Sequence, residues 1–198
     1  MAKAIDHAKR KHAIVVESLK LFAAIGYNHV NIGMVAKNCG LSRTLLYTYF
    51  KDKREIFNEA IREITGHIAK KYIEVLGMKT LSADEKLRAM TSTVFTVMFA
   101  NRDYLCTIAD VLSDYRRNGV VPVERVKAHT DGLRRIFTRL LEEAVERGEY
   151  RKTIDIPNVT SILYSQYEAA ALRITITGNA VLGECVKGIF ALLDVLRI

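Results

Sequence analysis

Proline and tryptophan are almost missing from this chain of 198 residues. It has two prolines, Pro122 and Pro157, and no tryptophan. So few breakers favour long helices. Cysteine is scarce as well. Cys39, Cys106 and Cys185 lie far apart and form no CxxC, which argues against a disulfide framework and a zinc site. Cys39, next to a glycine, reads as a small buried hydrophobe, and a regulatory thiol stays open at any of the three. His7, His12, His29, His67 and His129 are scattered and make no metal-ligand spacing, so no metal and no cofactor is expected. No nucleophile elbow, phosphate-cradling glycine loop or H-E-x-x-H occurs. The acid pair Glu142-Glu143 falls on an amphipathic, solvated helix, so there are no catalytic residues to name and an enzyme has nothing to stand on. A charged-then-apolar leader is lacking, and no apolar run is long enough for a membrane span. The expectation is a cytoplasmic protein without a membrane partner.

What is present is a helical composition with an uneven charge. The chain is 49% hydrophobic and 26% charged, with a net charge of +8. Residues 1–71 carry 13 Lys and Arg against 6 Asp and Glu, while residues 72–198 carry 17 against 16. A basic first third on a near-neutral remainder suits a nucleic-acid-binding module attached to a neutral domain. A solvated basic face is the plainer alternative.

The most organised stretch is Gly26 to Phe57, GYNHVNIGMVAKNCGLSRTLLYTYFKDKREIF. Val30, Ile32, Val35 and Ala36 predict one buried face of a short helix, with Asn31 as its N-cap. Gly40 sits where that helix must stop. Ser42 caps the next helix, in which Leu45 and Leu46 are expected to point inward. Asp52 and Glu55 form a D-x-x-E capping box at the start of a further helix. Two short helices and a tight turn make a helix-turn-helix, whose second helix enters the DNA major groove. Arg43 is the strongest base-reading candidate, because a guanidinium grips guanine O6 and N7 together. Ser42 and Thr44 can reach base edges or phosphate. Lys53 at a helix start can hold a phosphate together with free backbone N–H groups. Asn31 can touch the DNA backbone, although capping alone accounts for it.

The same run resembles the DNA-binding signature of the tetracycline-repressor (TetR) family over about residues 8–60, because turn, aromatic and lysine positions agree together. The resemblance implies an all-helical homodimer, generally a repressor, that leaves double-stranded DNA when a small molecule enters its C-terminal domain. It also implies that Tyr47, Thr48 and Tyr49 contact phosphate and the thymine methyl, and that Lys53, with Lys51 as a weaker match, binds phosphate. Thr48 varies in the family and gives no sequence preference.

Along the rest of the chain, residues 1–12 form a short basic arm or a solubilising tail. Lys9, Arg10 and Lys11 are within reach of phosphate, and Lys3 is expected to be disordered. A helix over about His7–Ile25, striped by Val15, Leu19 and Phe22, braces the motif. A long helix starts at Asp52 and ends near Leu76. Ser82-Ala83-Asp84-Glu85 is a second capping box, opening a helix that reaches Ala100. Further helices run from Tyr104 to before Asn118-Gly119, from Pro122 to Arg147, from Pro157 to Gly178, and from an Asn179 cap to the end. The expected fold is therefore all-α, about nine helices. An N-terminal three-helix helix-turn-helix domain (1–54) is joined by a long helix to a C-terminal helical bundle (55–198). The last two helices carry so few polar positions that more than one side must be covered. A homodimer interface is the reading favoured over the interior of a monomer, since a chain of this size seldom buries two such helices on all sides.

The resemblance places an unknown small-molecule effector among the middle helices. The candidate ligand residues are Phe95, Phe99, Tyr104, Phe137, Tyr164, Tyr167 and Glu168, which interrupt apolar faces with rings or polarity. Glu168 and Arg173 stand in an otherwise apolar helix and would need partners if buried. The resulting expectation is a ligand-responsive regulator on a palindromic operator. A DNA-binding or architectural protein without an effector is the alternative.

Overall fold

The computed structural model describes residues 2–117, 124–178 and 180–198, apart from the side chains of residues 2–5, 112 and 114–130. The expected stop at Asn118-Gly119, the start at Pro122 and the cap at Asn179 lie outside the described residues. So do the side chains of Lys3, Tyr115 and His129. Nine α-helices are described: α1 (Ala2–Ile25), α2 (Ile32–Asn38), α3 (Arg43–Tyr47), α4 (Lys53–Gly77), α5 (Ala83–Ala100), α6 (Arg102–Arg117), α7 (Glu124–Glu146), α8 (Ile156–Leu172) and α9 (Leu182–Leu196). A 3-10 turn at Tyr27–His29 precedes α2, and a π-helical turn at Arg173–Thr177 extends α8. Among the described residues the only β feature is a single antiparallel bridge between Tyr150 and Arg197. The helical fold agrees with the sequence reading. α1 begins earlier than expected, at Ala2, so the basic arm is helical.

The chain packs as two compact units, residues 1–65 with 103–122 and residues 66–102 with 123–198. The sequence division at residue 54 differs, since the first turns of α4 and most of α6 group with the N-terminal helices. Rings account for the grouping. Tyr27 lies 5.1 Å from Phe22 and 5.7 Å from Phe57, and Phe57 lies 6.4 Å from Tyr104 of α6. Each ring removes a large apolar area from water, and the tilted arrangements suit their quadrupoles. Ile14, Val15, Phe22, Ile56, Phe57, Ala60 and Ile61 fill the rest of this core. The one buried hydroxyl of α1, Ser18, donates to the Ile14 carbonyl at 2.6 Å.

In the second unit α5 packs on α7 and α9, and α7 on α8. Leu87, Met90, Val94 and Phe95 of α5 meet Leu133, Phe137, Leu140, Leu141, Leu163, Ile189 and Leu193, all buried. The start of α5 is held by long-range polar contacts. The Ser82/Glu85 capping box forms as expected. In addition, the Glu149 carboxylate accepts from the Ala83 and Asp84 backbone N–H groups at 3.1 and 2.8 Å, where a negative charge also suits the helix dipole. The buried Asp84 carboxylate accepts from the Tyr150 hydroxyl at 2.6 Å, from Arg88 Nε at 2.9 Å and from the Arg197 guanidinium. Arg88 also reaches Asp194 at 2.6 Å.

Burial pushes the Asp84 carboxyl up, but hydrogen bonds from Arg88, Arg197 and Tyr150 outweigh it and hold the group at about 2. A carboxyl depressed in the folded state adds stability above its unfolded pKa, and that stability is lost as pH falls through the folded value. Wild-type stability is therefore expected to decline between about pH 4 and pH 2. Asp84→Ala should cost about 3 kcal/mol at neutral pH, because Arg88 and Tyr150 lose a buried partner. Its deficit against wild type should shrink towards pH 2. Urea unfolding of both proteins at several pH values measures this, and a pH-independent deficit would contradict the assignment.

Candidate nucleic-acid interface and effector core

The helix-turn-helix is built by local capping. Asn31 Oδ1 accepts from the Met34 N–H at 3.0 Å and starts α2. Its end is a Schellman turn: the Gly40 N–H reaches the Lys37 carbonyl at 3.2 Å, and the Leu41 N–H reaches that of Ala36 at 2.9 Å. Gly40 has φ 65°, a conformation that a side chain would strain. Ser42 Oγ then accepts from the Leu45 N–H at 3.1 Å and starts α3.

α3 has five residues and one buried anchor, Leu46. Arg43, Thr44, Leu45, Tyr47 and Thr48 are all exposed, with Ser42 beside them. This corrects one expectation. Leu45 is on the outer face, not in the core, because successive helical residues turn by about 100° and a helix this short, packed through Leu46, has no second inner side. An exposed leucine here is a further candidate, able to offer an apolar contact to a thymine methyl. Arg43 lies across α2. A methyl group on Gly33 would stand 3.0 Å from Arg43 Nε and 3.1 Å from Cζ and Nη2. The bare glycine gives the guanidinium a place against the α2 backbone. Thr48 Oγ1 donates to the Leu45 carbonyl at 2.7 Å. Tyr49 is half-buried and stacks on His7 at 4.6 Å.

The two lysines diverge. Lys51 is exposed. Lys53 is turned inward. Its Nζ donates to the carbonyls of Tyr27, Asn28 and Val30 at 2.7, 3.2 and 2.9 Å, and lies 4.5 Å from the centre of the Tyr27 ring. An ammonium has three donors, and three carbonyls take them. The expected phosphate ligand thus fastens the link between α1 and α2 to the start of α4. That start is capped by Asp52, whose Oδ1 accepts from the Glu55 N–H at 2.8 Å. Glu55 closes back on the Lys51 N–H at 2.7 Å, one residue before the position expected of a capping box. Lys11 of the arm is also drawn in, pairing with Glu59 at 3.1 Å.

The family model for bacterial regulatory proteins, tetR family, matches residues 14–60, the span that holds α2, α3 and their braces. The match covers about a quarter of the chain and makes residues 14–60 a tetR-type DNA-binding segment. It is similar to the fatty acid metabolism regulator protein of Bacillus subtilis, 24% identical over 143 residues, 72% of each chain. It is also similar to the HTH-type transcriptional repressor KstR2 of Mycolicibacterium smegmatis, 22% identical over 149 residues, 75% of this chain and 71% of that one. Among solved structures, the ketosteroid transcriptional regulator KstR2 of Mycobacterium tuberculosis shares the fold with a TM-score of 0.74. It is 15% identical, over 96% of this chain and 95% of that one. These relatives are transcriptional regulators and not enzymes.

The expected effector residues separate. Phe95, Phe137 and Tyr167 come together in the second unit: the Tyr167 ring lies 4.9 Å from Phe95 and 5.6 Å from Phe137. Phe99 is half-buried on the same helix as Phe95. Tyr104 belongs to the first unit, against Phe57, because α6 packs there. Tyr164 is half-buried under the Arg134 guanidinium, 4.5 Å from its ring centre. Glu168 and Arg173 are exposed, so neither needs a buried partner and Glu168 is no part of a core site. Two polar residues that belong to the core were missed, Tyr72 and Thr91. Their signal was a single hydroxyl on an apolar helical stripe, as in Ile61, Ile68, Tyr72. Among the described residues no cluster of His, Cys, Asp or Glu could hold a metal, and no helix is long and apolar enough to cross a membrane.

Lys53→Met keeps the aliphatic stem and removes the ammonium. We expect it to cost about 2 kcal/mol of stability in urea unfolding, since two part-buried carbonyls and an exposed one lose a charged donor. The dependence of DNA affinity on salt should keep its slope. A slope reduced by about 0.9 would instead mean that Lys53 neutralises a phosphate in the complex.

Proposed function

We propose that this protein is a ligand-responsive repressor that binds a palindromic operator as a homodimer in the cytoplasm. The observation that carries the reading is the outer face of α3, where Arg43, Thr44, Leu45, Tyr47 and Thr48 are exposed together on the basic third of the chain. Arg43 reads guanine, Ser42 and Thr44 contact base edges or phosphate, and Leu45 meets a thymine methyl. Tyr47, Thr48, Tyr49, Lys51 and the backbone around Asn31 hold phosphate and set the register. Lys53 fixes the frame from behind. Repression is supported by the repressor among the relatives, and an effector of apolar character by the names of the fatty acid and ketosteroid regulators.

The last two helices support the dimer. α8 exposes Ile162, Ser165, Ala169 and Leu172, and the π-helical turn adds Ile176. α9 and its ends expose Val181, Glu184, Gly188, Ala191, Val195 and Ile198. Both series step by three and four residues, small in the middle and large at the ends. Ile176 is 72% exposed and Val195 66% in the single chain. Facing copies of such stripes bury apolar area and let the helices approach closely. Two-fold symmetry then sets two α3 helices about 34 Å apart, one DNA turn. An effector in the second unit that favours another spacing releases the operator. A hundredfold loss of affinity needs only about 2.7 kcal/mol of coupling.

Selection of bound fragments from genomic DNA at near-physiological salt should recover a palindrome, with at least a tenfold loss of binding on Arg43→Ala. Recovery of only salt-sensitive, sequence-independent DNA would leave the architectural reading in its place. Ala191→Glu, at an exposed position, should leave the protomer folded and shift the mass by light scattering from dimer to monomer, with loss of palindrome binding. A mass unchanged by this variant would place the interface elsewhere.

A further inference from the structure

The Arg43 guanidinium rests on a glycine with its donors open. Arg43 is the first residue of α3, and its side chain lies back over Gly33, the second residue of α2. A Cβ on Gly33 would stand 3.0 Å from Arg43 Nε and 3.1 Å from both Cζ and Nη2. These three atoms belong to one planar group. A point almost equally distant from all three, at that range, lies above their plane. The guanidinium therefore turns its flat face to the glycine, and its N–H bonds run along the plane and not into α2. Among the described residues none takes them in a hydrogen bond or an ion pair. The edge that can grip guanine O6 and N7 is open while the face is steadied from one side. The backbone gives no reason for the glycine. Gly33 is helical and is not among the residues of positive φ, which are Gly26, Gly40, Gly148 and Gly178. Alanine would favour the helix.

We propose that Gly33 is a positioning residue for DNA recognition: its bare Cα is the shelf that holds the Arg43 guanidinium face-on, so that a base pair meets a group already oriented. The proposal rests on the reading of Arg43 as the base reader. An unrestrained arginine must give up its rotamer freedom when it binds, and a side chain settled beforehand gives up less. A Cβ at these distances cannot coexist with the guanidinium as it lies. The end of an arginine is flexible, so the fold accepts a methyl group and the guanidinium moves off α2. The loss then falls on recognition and not on folding.

The test uses full-length wild type, Gly33→Ala, Arg43→Ala and the double variant, on short duplexes that wild type selects from a pool of randomised sequence. Gly33→Ala should melt no lower than wild type, because alanine suits a helical backbone. It should bind the selected duplex about fivefold more weakly, against about tenfold or more for Arg43→Ala, and lose preference at the same base pair. In the Arg43→Ala background it should have no further effect, since nothing is left to position. Unchanged affinity in Gly33→Ala would overturn the proposal. So would an equal loss in both backgrounds, which would mean that the new methyl group meets the DNA itself, or a clearly lower melting temperature, which would place the role of Gly33 in packing. The single variants keep this distinct from the parent reading. Arg43→Ala that binds like wild type removes the base reader and the proposal together, whereas a weakened Arg43→Ala beside an unaffected Gly33→Ala removes the proposal alone.

Discussion

One ammonium group carries the geometry of the N-terminal unit. Lys53 gathers the carbonyls of Tyr27, Asn28 and Val30 at a point where the chain leaves α1 and has not yet entered α2. With the lysine in place, Tyr27 is pressed between Phe22 and Phe57, and the first residue of α2 is fixed against the start of α4. α3 follows from α2 through a Schellman turn with one backbone solution. A five-residue helix with a single buried leucine could not orient itself. It inherits its direction from the lysine and the rings behind it.

The second unit solves a similar problem with the opposite charge. Asp84 receives donors from its own helix, from the segment after α7 and from the chain end. The pairing is charge-assisted and buried, so it specifies one arrangement of these three segments more sharply than apolar packing would.

Features that depend on near neighbours were legible in the sequence. Asn31, Gly40, Ser42 and Ser82 each act within five residues, and their chemistry names their role. The helices follow from periodicity. The second class of feature is fixed by residues far along the chain. Lys53 finds its carbonyls 23 to 26 residues back, and Asp84 meets Arg197 across 113 residues. Periodicity gives no sign of either. Leu45 was misjudged because an apolar residue was equated with an inner one in a helix too short to have two inner positions. The candidate effector residues were legible only as rings. Rings on apolar stripes were visible, but only packing assigns Tyr104 to one unit and Tyr167 to the other.

Gly33 has a consequence for how operator preference can change. It lies on α2 and has no side chain of its own, yet a Cβ there would crowd the Arg43 guanidinium that rests against it. A base reader is usually treated as a letter in a code, one side chain for one base pair. Here the letter has a rest position determined by its neighbour. If Arg43 reads the operator as proposed, two relatives with the same α3 sequence and different residues at this point of α2 would start from different arginine rotamers and rank the same operators differently. On the proposed DNA reading, specificity is then a property of the helix pair, and drift on α2 is enough to rewrite it.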